Sequence, residues 1–137
     1  MLTFEKLRVG TVYPEVHYQF TPEQVAKWVS SFEDDTVAVT GGGKPAEGSE
    51  VPAALTSLYV LDAILKAYPN RPKGNVHAKQ DFVWYSPVRI GDVLATEVIV
   101  ADKYRKRGRR YVVTETRTRN QDGRLVATGR MTSIFAQ

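Results

Sequence analysis

The sequence predicts an α+β domain in which a curled antiparallel sheet wraps around one long central helix. The first observation is the last third of the chain, residues 82–136, where runs of strand-forming residues alternate with turn sequences. The second is an apolar segment upstream, residues 52–68, which is long enough for a buried helix. A helix that is apolar nearly all round needs cover, and a sheet curled around it supplies that cover in a small domain.

The central helix is predicted over residues 52–68, PAALTSLYVLDAILKAY, and we expect it to be buried on most sides. Pro69 and Pro72 follow at once and end it. Asp62 is unusual in this apolar run. Because Lys66 stands four positions later, we expect the two charges to pair on a narrow exposed strip.

An edge strand and a long loop are predicted before the central helix. The strand covers residues 11–20, although Pro14 cannot donate to a sheet ladder and weakens its first half. The loop covers residues 36–50, which contain four glycines and a proline. Loops of this length in a small domain are usually functional or partly disordered.

A first helix is predicted between that strand and that loop. Thr21 can cap it and form a capping box with Gln24. Apolar residues then recur with helical spacing up to Phe32. We expect the helix to end around residues 33–35.

Four antiparallel strands are predicted after the central helix, at residues 76–85, 93–102, 111–120 and 125–135. A corner with the pattern Pro-x-x-x-Gly-Asp separates the first two. A basic hairpin tip at residues 105–110, centred on Gly108, separates the next two. The turn at residues 120–123 ends in Gly123, which suits a positive φ.

The composition is that of one globular domain, which we assign to residues 1–137. There is no cysteine, so disulfides and thiolate metal sites are excluded. The N-terminal sequence MLTFEKLRVG does not resemble a signal peptide, and no apolar run is long enough to span a membrane. We therefore expect a cytoplasmic location.

Positive charge is concentrated in the predicted hairpin. The formal net charge is only +4, but six basic residues lie between positions 103 and 110. Such a cluster suits an anionic partner: nucleic acid, the phosphates of coenzyme A or an acidic carrier protein. The alternative is a solvated hairpin with no partner.

The chain resembles the MaoC-like acyl dehydratases and hydratases, specifically the N-terminal-type hot-dog module of fatty-acid-synthase-like dehydratases. The resemblance is carried by five stretches: VPAAL at 51–55, HAKQDF at 77–82, PVRIGD at 87–92, YRKRG at 104–108 and NQDGRLVAT at 120–128. It implies a single hot-dog domain. It also implies reversible addition of water to an enoyl thioester, with coenzyme A or an acyl carrier as the substrate moiety and no separate cofactor.

The resemblance also implies a catalytic pair that this chain lacks. Catalytic members carry an aspartate, then asparagine-proline, then a histidine five residues after the aspartate. Here Thr40 stands five residues after Asp35, and Val39 stands five residues after Asp34. Threonine has no basic nitrogen and cannot accept a proton near neutral pH.

The candidate catalytic groups are therefore Asp35, Asp34 and His77. Each has an ordinary alternative, since the aspartates are also consistent with a solvated helix end and His77 with a histidine bonded within the sheet. The candidate substrate-binding residues are Ala53, Ala54, Tyr59, Arg105, Arg107 and Arg109. Backbone N–H groups at 53 and 54 would polarise the thioester carbonyl, and Tyr59 would line an acyl pocket or serve as a core residue. The two histidines, His17 and His77, lie far apart in sequence, so no metal site is predicted.

Two versions of the dehydratase interpretation remain open, and two other functions stand beside them. The chain is either a subunit that assembles with a separate catalytic hot-dog chain or a homodimer with a variant active site. A hot-dog thioesterase is a third candidate function. A nucleic-acid or anion-binding module is the fourth, although few aromatic residues accompany the basic cluster.

Overall fold

The computed structural model describes residues 1–32 and 45–136 and confirms the predicted α+β hot-dog architecture. The elements, in chain order, are β1 (Val16–Gln19), α1 (Pro22–Phe32), a 3₁₀ turn (Ala53–Leu55), α2 (Thr56–Ala67), β2 (Val76–Trp84), β3 (Val93–Lys106), β4 (Arg109–Arg119) and β5 (Leu125–Phe135). The five strands form one antiparallel sheet in the order β1-β3-β4-β5-β2. The edges of the sheet among the described residues are therefore β1 and β2.

Helix α2 packs on the inner face of this sheet, and the core lies between them. Tyr68, directly after the helix, shares a 3.0 Å hydrogen bond with Thr114 of β4. Every second residue of the first half of β3, beginning at Leu94, is buried. That alternation is expected of a strand with one face on a core.

The start of α1 has the predicted capping box. The Gln24 backbone N–H donates to Thr21 Oγ1 at 3.2 Å, and the Thr21 backbone N–H donates to Gln24 Oε1 at 3.0 Å. These two bonds satisfy donors that a helix start leaves without partners. The expected end of the helix at 33–35 lies outside the described residues, as does most of the predicted loop.

The first strand is shorter than the predicted residues 11–20. β1 pairs with β3 only over Val16–Gln19, and Val12 makes one separate bridge to Ile99. Pro14 lies between the two contacts and has no N–H to donate, so the ladder is interrupted there.

The predicted basic hairpin at residues 105–110 forms, and its strands run further toward the tip than predicted. Arg105 pairs with Arg110 and Lys106 with Arg109, which leaves only Arg107 and Gly108 in the turn. Both turn residues have positive φ, 51° and 75°. That pair of angles is typical of the two-residue turns that match the twist of a hairpin.

The expectation that α2 is buried on most sides holds for the flank facing the sheet and is wrong for the opposite flank. Leu58, Leu61 and Leu65 are 43%, 47% and 37% exposed. The predicted pair forms beside them, with Lys66 Nζ 2.9 Å from Asp62 Oδ2. No helix in the described parts of the chain is long and apolar enough to cross a membrane.

Candidate functional site

A cavity of about 470 Å³ lies beside the start of α2. It is lined by the segment leading into the helix, residues 50–53, by Thr56 and Tyr59 of the first two turns, and by residues 84–88 after β2. One backbone bond joins two of these segments, and a second joins residues 84–88 to β5. The Val51 N–H donates to the Val88 carbonyl at 2.7 Å, and the Tyr85 N–H donates to the Val126 carbonyl at 2.9 Å.

Trp84 and Thr56 connect the sheet to the helix across this cavity. The Trp84 indole Nε1 donates to Thr56 Oγ1 at 2.8 Å, and Thr56 Oγ1 donates to the Ala53 carbonyl at 2.7 Å. The last residue of β2 and the first residue of α2 are therefore fixed relative to each other. The hydrogen-bonding requirement of the Trp84 indole N–H is thereby satisfied.

Tyr59 is almost completely buried against this cavity, at 2% exposure. Its ring packs edge-on against Phe20, with ring centroids 6.1 Å apart, and lies 6.5 Å from the ring of Tyr18. Its hydroxyl is enclosed beside the Thr56 hydroxyl and makes no well-aligned hydrogen bond within the described residues. Burial raises the pKa of Tyr59, and the neighbouring Thr56 hydroxyl partly offsets that rise.

The start of the central helix carries no side-chain cap. Pro52 occupies the capping position and supplies no hydroxyl or carboxylate to the first N–H groups. Ala53 lines the cavity, whereas Ala54 is exposed and does not line it. Of the two predicted alanines, the structure thus places one at the cavity.

His77 lies in a different groove. It lines a space of about 190 Å³ between α2 and the inner face of β2 and β5, together with apolar residues that include Leu58, Leu61 and Phe82. His77 pairs with Ser133 in the ladder where Trp84 pairs with Ala127. Seven residues of strand separate the two positions, roughly 23 Å. The structure does not bring His77 to the cavity beside Tyr59.

The basic hairpin lies at the end of the sheet far from the cavity. Trp84 is aligned with Thr118 of β4 through Ala127 of β5. Arg109 is nine residues from Thr118 along β4, a distance of about 30 Å. Arg107 stands in the turn beyond it. These two residues do not reach the cavity of their own chain.

Arg105 takes part in a contact with the N-terminal segment instead. Its Nη2 atom lies 3.0 Å from Glu5 Oε1, and Arg110 Nε lies 3.9 Å from the same oxygen. Lys103 Nζ donates to the Phe4 carbonyl at 2.9 Å and stands 4.9 Å from the centre of its ring. Half of the basic cluster therefore holds the N-terminal segment against the sheet.

The remaining predicted groups, Asp34 and Asp35, lie outside the described residues. Within the described ranges, no three histidine, aspartate or glutamate side chains stand together as a metal site.

Sequence reasoning missed the polar residues that accompany Tyr59. The sequence shows Thr56 only as a helix residue and Trp84 only as a strand residue. Their hydrogen bond, which brings them together at the cavity, is visible only in the structure. Glu50 belongs to the predicted loop at residues 36–50, yet it lines the cavity, and its carboxylate lies 3.6 Å from the Arg89 guanidinium. Arg89 belongs to the PVRIGD corner, but a single arginine in a turn does not show in the sequence which residue its side chain contacts.

The chain matches one known protein family over most of its length. The model of the FAS1-like dehydratase domain region matches residues 8–129. No curated protein matches the chain significantly in sequence.

Several solved structures share the fold at low sequence identity. The MaoC-like dehydratase from Rhodospirillum rubrum has a TM-score of 0.78 and 18% identity, covering 100% of this chain and 99% of that one. The HadBC (3R-hydroxyacyl-ACP dehydratase) complex from Mycobacterium tuberculosis has a TM-score of 0.75 and 19% identity, covering 92% and 96%. The (R)-hydratase from A. caviae has a TM-score of 0.71 and 22% identity, covering 94% and 97%.

Proposed function

Because the chain belongs to the FAS1-like dehydratase domain family, we propose that it binds an acyl thioester in the cavity at the start of α2. In this proposal it serves as the non-catalytic partner of a second hot-dog chain, which carries the aspartate and histidine. The observation that carries the proposal is a cavity beside an uncapped helix start, with no histidine lining it.

The helix start suits the thioester carbonyl. The first N–H groups of a helix have no intrahelical partner and carry a partial positive charge. The Ala53 N–H is one of these donors, and Ala53 lines the cavity. A thioester whose carbonyl accepts from this N–H places its acyl chain against Thr56, Tyr59 and Trp84.

The chain lacks an acid–base pair at the described wall of this cavity. Its two histidines are His77, in the separate groove, and His17, on the strand β1 at the far edge of the sheet. Glu50 does line the cavity, but it is paired with Arg89 and has no described acid beside it. One carboxylate cannot both take a proton from water and deliver another to the acyl chain in a single step. A catalytic partner chain supplies both groups.

The surface for that partner is the exposed edge β2 together with the exposed flank of α2. The edge presents Val83 and Trp84, each more than half exposed, and the helix presents Leu58 and Leu61. An unpaired strand edge next to an apolar helix flank is a surface that soluble proteins usually cover. A second chain of the same fold, pairing its own β2 antiparallel to this one, covers both at once.

This arrangement gives the basic hairpin a role that it cannot have within one chain. Antiparallel pairing of two β2 edges sets the hairpin end of one chain beside the cavity end of the other. The lateral distance from β2 to the partner's β4 is three strand spacings, about 14 Å. Arg107 and Arg109 then meet the phosphates of coenzyme A, or an acidic carrier, bound at the partner's cavity.

The binding step is tested by calorimetric titration of crotonyl-CoA into the wild type, Ala53→Pro and Ala53→Gly. Proline is tolerated in the first position of a helix, and it removes the one N–H assigned to the carbonyl. Glycine retains that N–H and serves as the matched control. We expect Ala53→Pro to bind about tenfold more weakly, the effect of one lost hydrogen bond, with Ala53→Gly close to the wild type. No binding by the wild type, or equal binding by all three, contradicts the proposal.

A further inference from the structure

The positive charges of the β3–β4 hairpin fall into two groups. Side chains alternate between the two faces of a strand, so Arg110 lies on the same face as Val112, a residue of the core. Its cross-strand partner Arg105 shares that inner face. Both guanidinium groups lie against the carboxylate of Glu5, at 3.0 and 3.9 Å. The inner charges of the hairpin therefore have a partner within the chain.

The charges on the outer face have no such partner. Lys106 and Arg109 are cross-strand partners one position nearer the turn, and Arg107 lies in the turn itself. All three are exposed, and their side chains make no hydrogen bond or ion pair with any described residue. Asp102 shares the outer face but lies four residues from Lys106 along β3, about 13 Å away. Three neighbouring cations without a counterion attract an anionic ligand.

A pair of stacked tyrosines lies beside these outer charges. Tyr104 and Tyr111 are cross-strand partners on the same face, two residues from Lys106 and Arg109 respectively. Their rings are nearly parallel, with an interplanar angle of 10° and centroids 4.9 Å apart. Tyr104 is still 39% exposed, so a third flat ring can extend the stack. Nucleic-acid-binding proteins hold bases on aromatic side chains in this way.

We propose that the outer face of this hairpin binds a nucleotide, with the base against Tyr104 and Tyr111 and the phosphates on Lys106, Arg107 and Arg109. Arginine presents planar donors that match phosphate oxygens. An acidic protein surface would use the cations but not the stacked rings, whereas a nucleotide uses both.

The nucleotide can come from two sources that share this chemistry. It is either the nucleotide end of coenzyme A, in which case the inference rests on the proposed function, or a separate nucleotide, in which case it stands alone. The site itself is formed by one chain and lies away from the cavity beside Tyr59.

The test is calorimetric titration of two probes: adenosine 3′,5′-bisphosphate, which is coenzyme A without its phosphopantetheine arm, and pyrophosphate, which has no base. We expect the wild type to bind the bisphosphate at least about tenfold more tightly than pyrophosphate. Tyr104→Leu should weaken the bisphosphate about tenfold, the effect of one stacked base, and leave pyrophosphate unchanged.

A charge variant tests the phosphate contacts separately. Lys106→Ser combined with Arg109→Ser should weaken both probes, and the loss should shrink as salt is raised. Arg130→Ser removes one exposed charge from the same face of the sheet, on β5, and should change neither affinity. No binding of the bisphosphate, equal affinity for pyrophosphate, or an unchanged affinity in Tyr104→Leu would overturn the nucleotide site.

Two further titrations identify the source and separate this inference from the proposed function. Coenzyme A that binds more than about tenfold tighter than the bisphosphate assigns the site to the nucleotide of the thioester, and similar affinities assign it to a separate nucleotide. Crotonyl-pantetheine has no nucleotide and reports on the cavity alone. If it binds while the bisphosphate does not, only the nucleotide site is overturned; if the bisphosphate binds while crotonyl-pantetheine does not, only thioester binding in the cavity is overturned.

Discussion

The two ends of the sheet differ in how their polar groups are used. At one end, Thr56, Tyr59 and Trp84 line a cavity, and the hydroxyl of Tyr59 makes no well-aligned hydrogen bond with any described residue. At the other end, Arg105 and Lys103 are bonded to the N-terminal segment. The basic end, which is conspicuous in the sequence, is thus partly structural. Each end encloses a polar atom that makes no hydrogen bond within the described residues, the Tyr59 hydroxyl at the first and Arg110 Nε at the second. Charge density in the sequence therefore does not by itself distinguish a binding surface from an internal contact.

The largest expected effect is on stability, and it separates two buried tyrosines, Tyr59 and Tyr68. Tyr68→Phe leaves the buried Thr114 hydroxyl without its partner and should lower the free energy of unfolding by about 1–3 kcal/mol. Tyr59→Phe removes a hydroxyl that makes no well-aligned hydrogen bond with any described residue and should leave stability unchanged or slightly raised. Urea denaturation of both variants measures the difference. Equal losses would show that the Tyr59 hydroxyl is bonded within the folded chain.

A second comparison tests whether the hairpin acts on another chain's cavity. Arg107→Ser combined with Arg109→Ser removes two exposed charges at the turn, so stability should change little. The affinity of the assembled protein for crotonyl-CoA should fall roughly fivefold, and the fall should shrink as salt is raised. Calorimetry at two ionic strengths measures both. The control is Arg130→Ser, which removes an exposed charge from the middle of β5, away from both the turn and the cavity. An unchanged affinity would remove the hairpin from the thioester site.

The smallest expected effect is on the melting temperature, and it comes from Glu5, which pairs with Arg105 of the hairpin. The pKa of Glu5 lies below its ordinary value of 4.5, chiefly because its own backbone N–H donates to the carboxylate, with Arg105 and Arg110 adding to the effect and desolvation opposing it. A lowered folded-state pKa gives stability that is present above the unfolded pKa and is lost as pH falls through the folded pKa. Glu5→Gln should therefore melt slightly below the wild type at pH 7 and level with it in acid. If the two proteins still differ in melting temperature in acid, the charge of Glu5 is not the cause of the difference.

Local rules were sufficient for much of the fold. The capping box of Thr21 and Gln24, the pair of Asp62 and Lys66, and the turn ending in Gly123 each depend on residues a few positions apart, and all three formed. The β3–β4 ladder is longer than predicted, because the charged side chains of Arg105 and Arg110 favour a hairpin tip over a continued strand in the sequence. A strand pair can carry such side chains wherever its face meets solvent.

The site was less predictable than the fold. Tyr59 and Ala53 were named from the sequence and do line the cavity. Nothing in the sequence shows that Thr56 would give its proton to Ala53 and leave Tyr59 without a well-aligned hydrogen bond. The separation of Arg107 from the cavity also depends on the sheet register, which links residues far apart in the chain.

The chain by itself is proposed to bind acyl thioesters but not to hydrate them, with a second chain supplying the catalytic groups. One assay tests this proposal most directly. It follows the enoyl absorbance of crotonyl-CoA with the purified chain, by itself and after addition of a related hot-dog chain that carries the aspartate and histidine. We predict binding without turnover for the chain alone, and hydration once the catalytic chain is added. Hydration by the chain alone that is abolished by Asp35→Ala or Glu50→Gln would contradict the proposal.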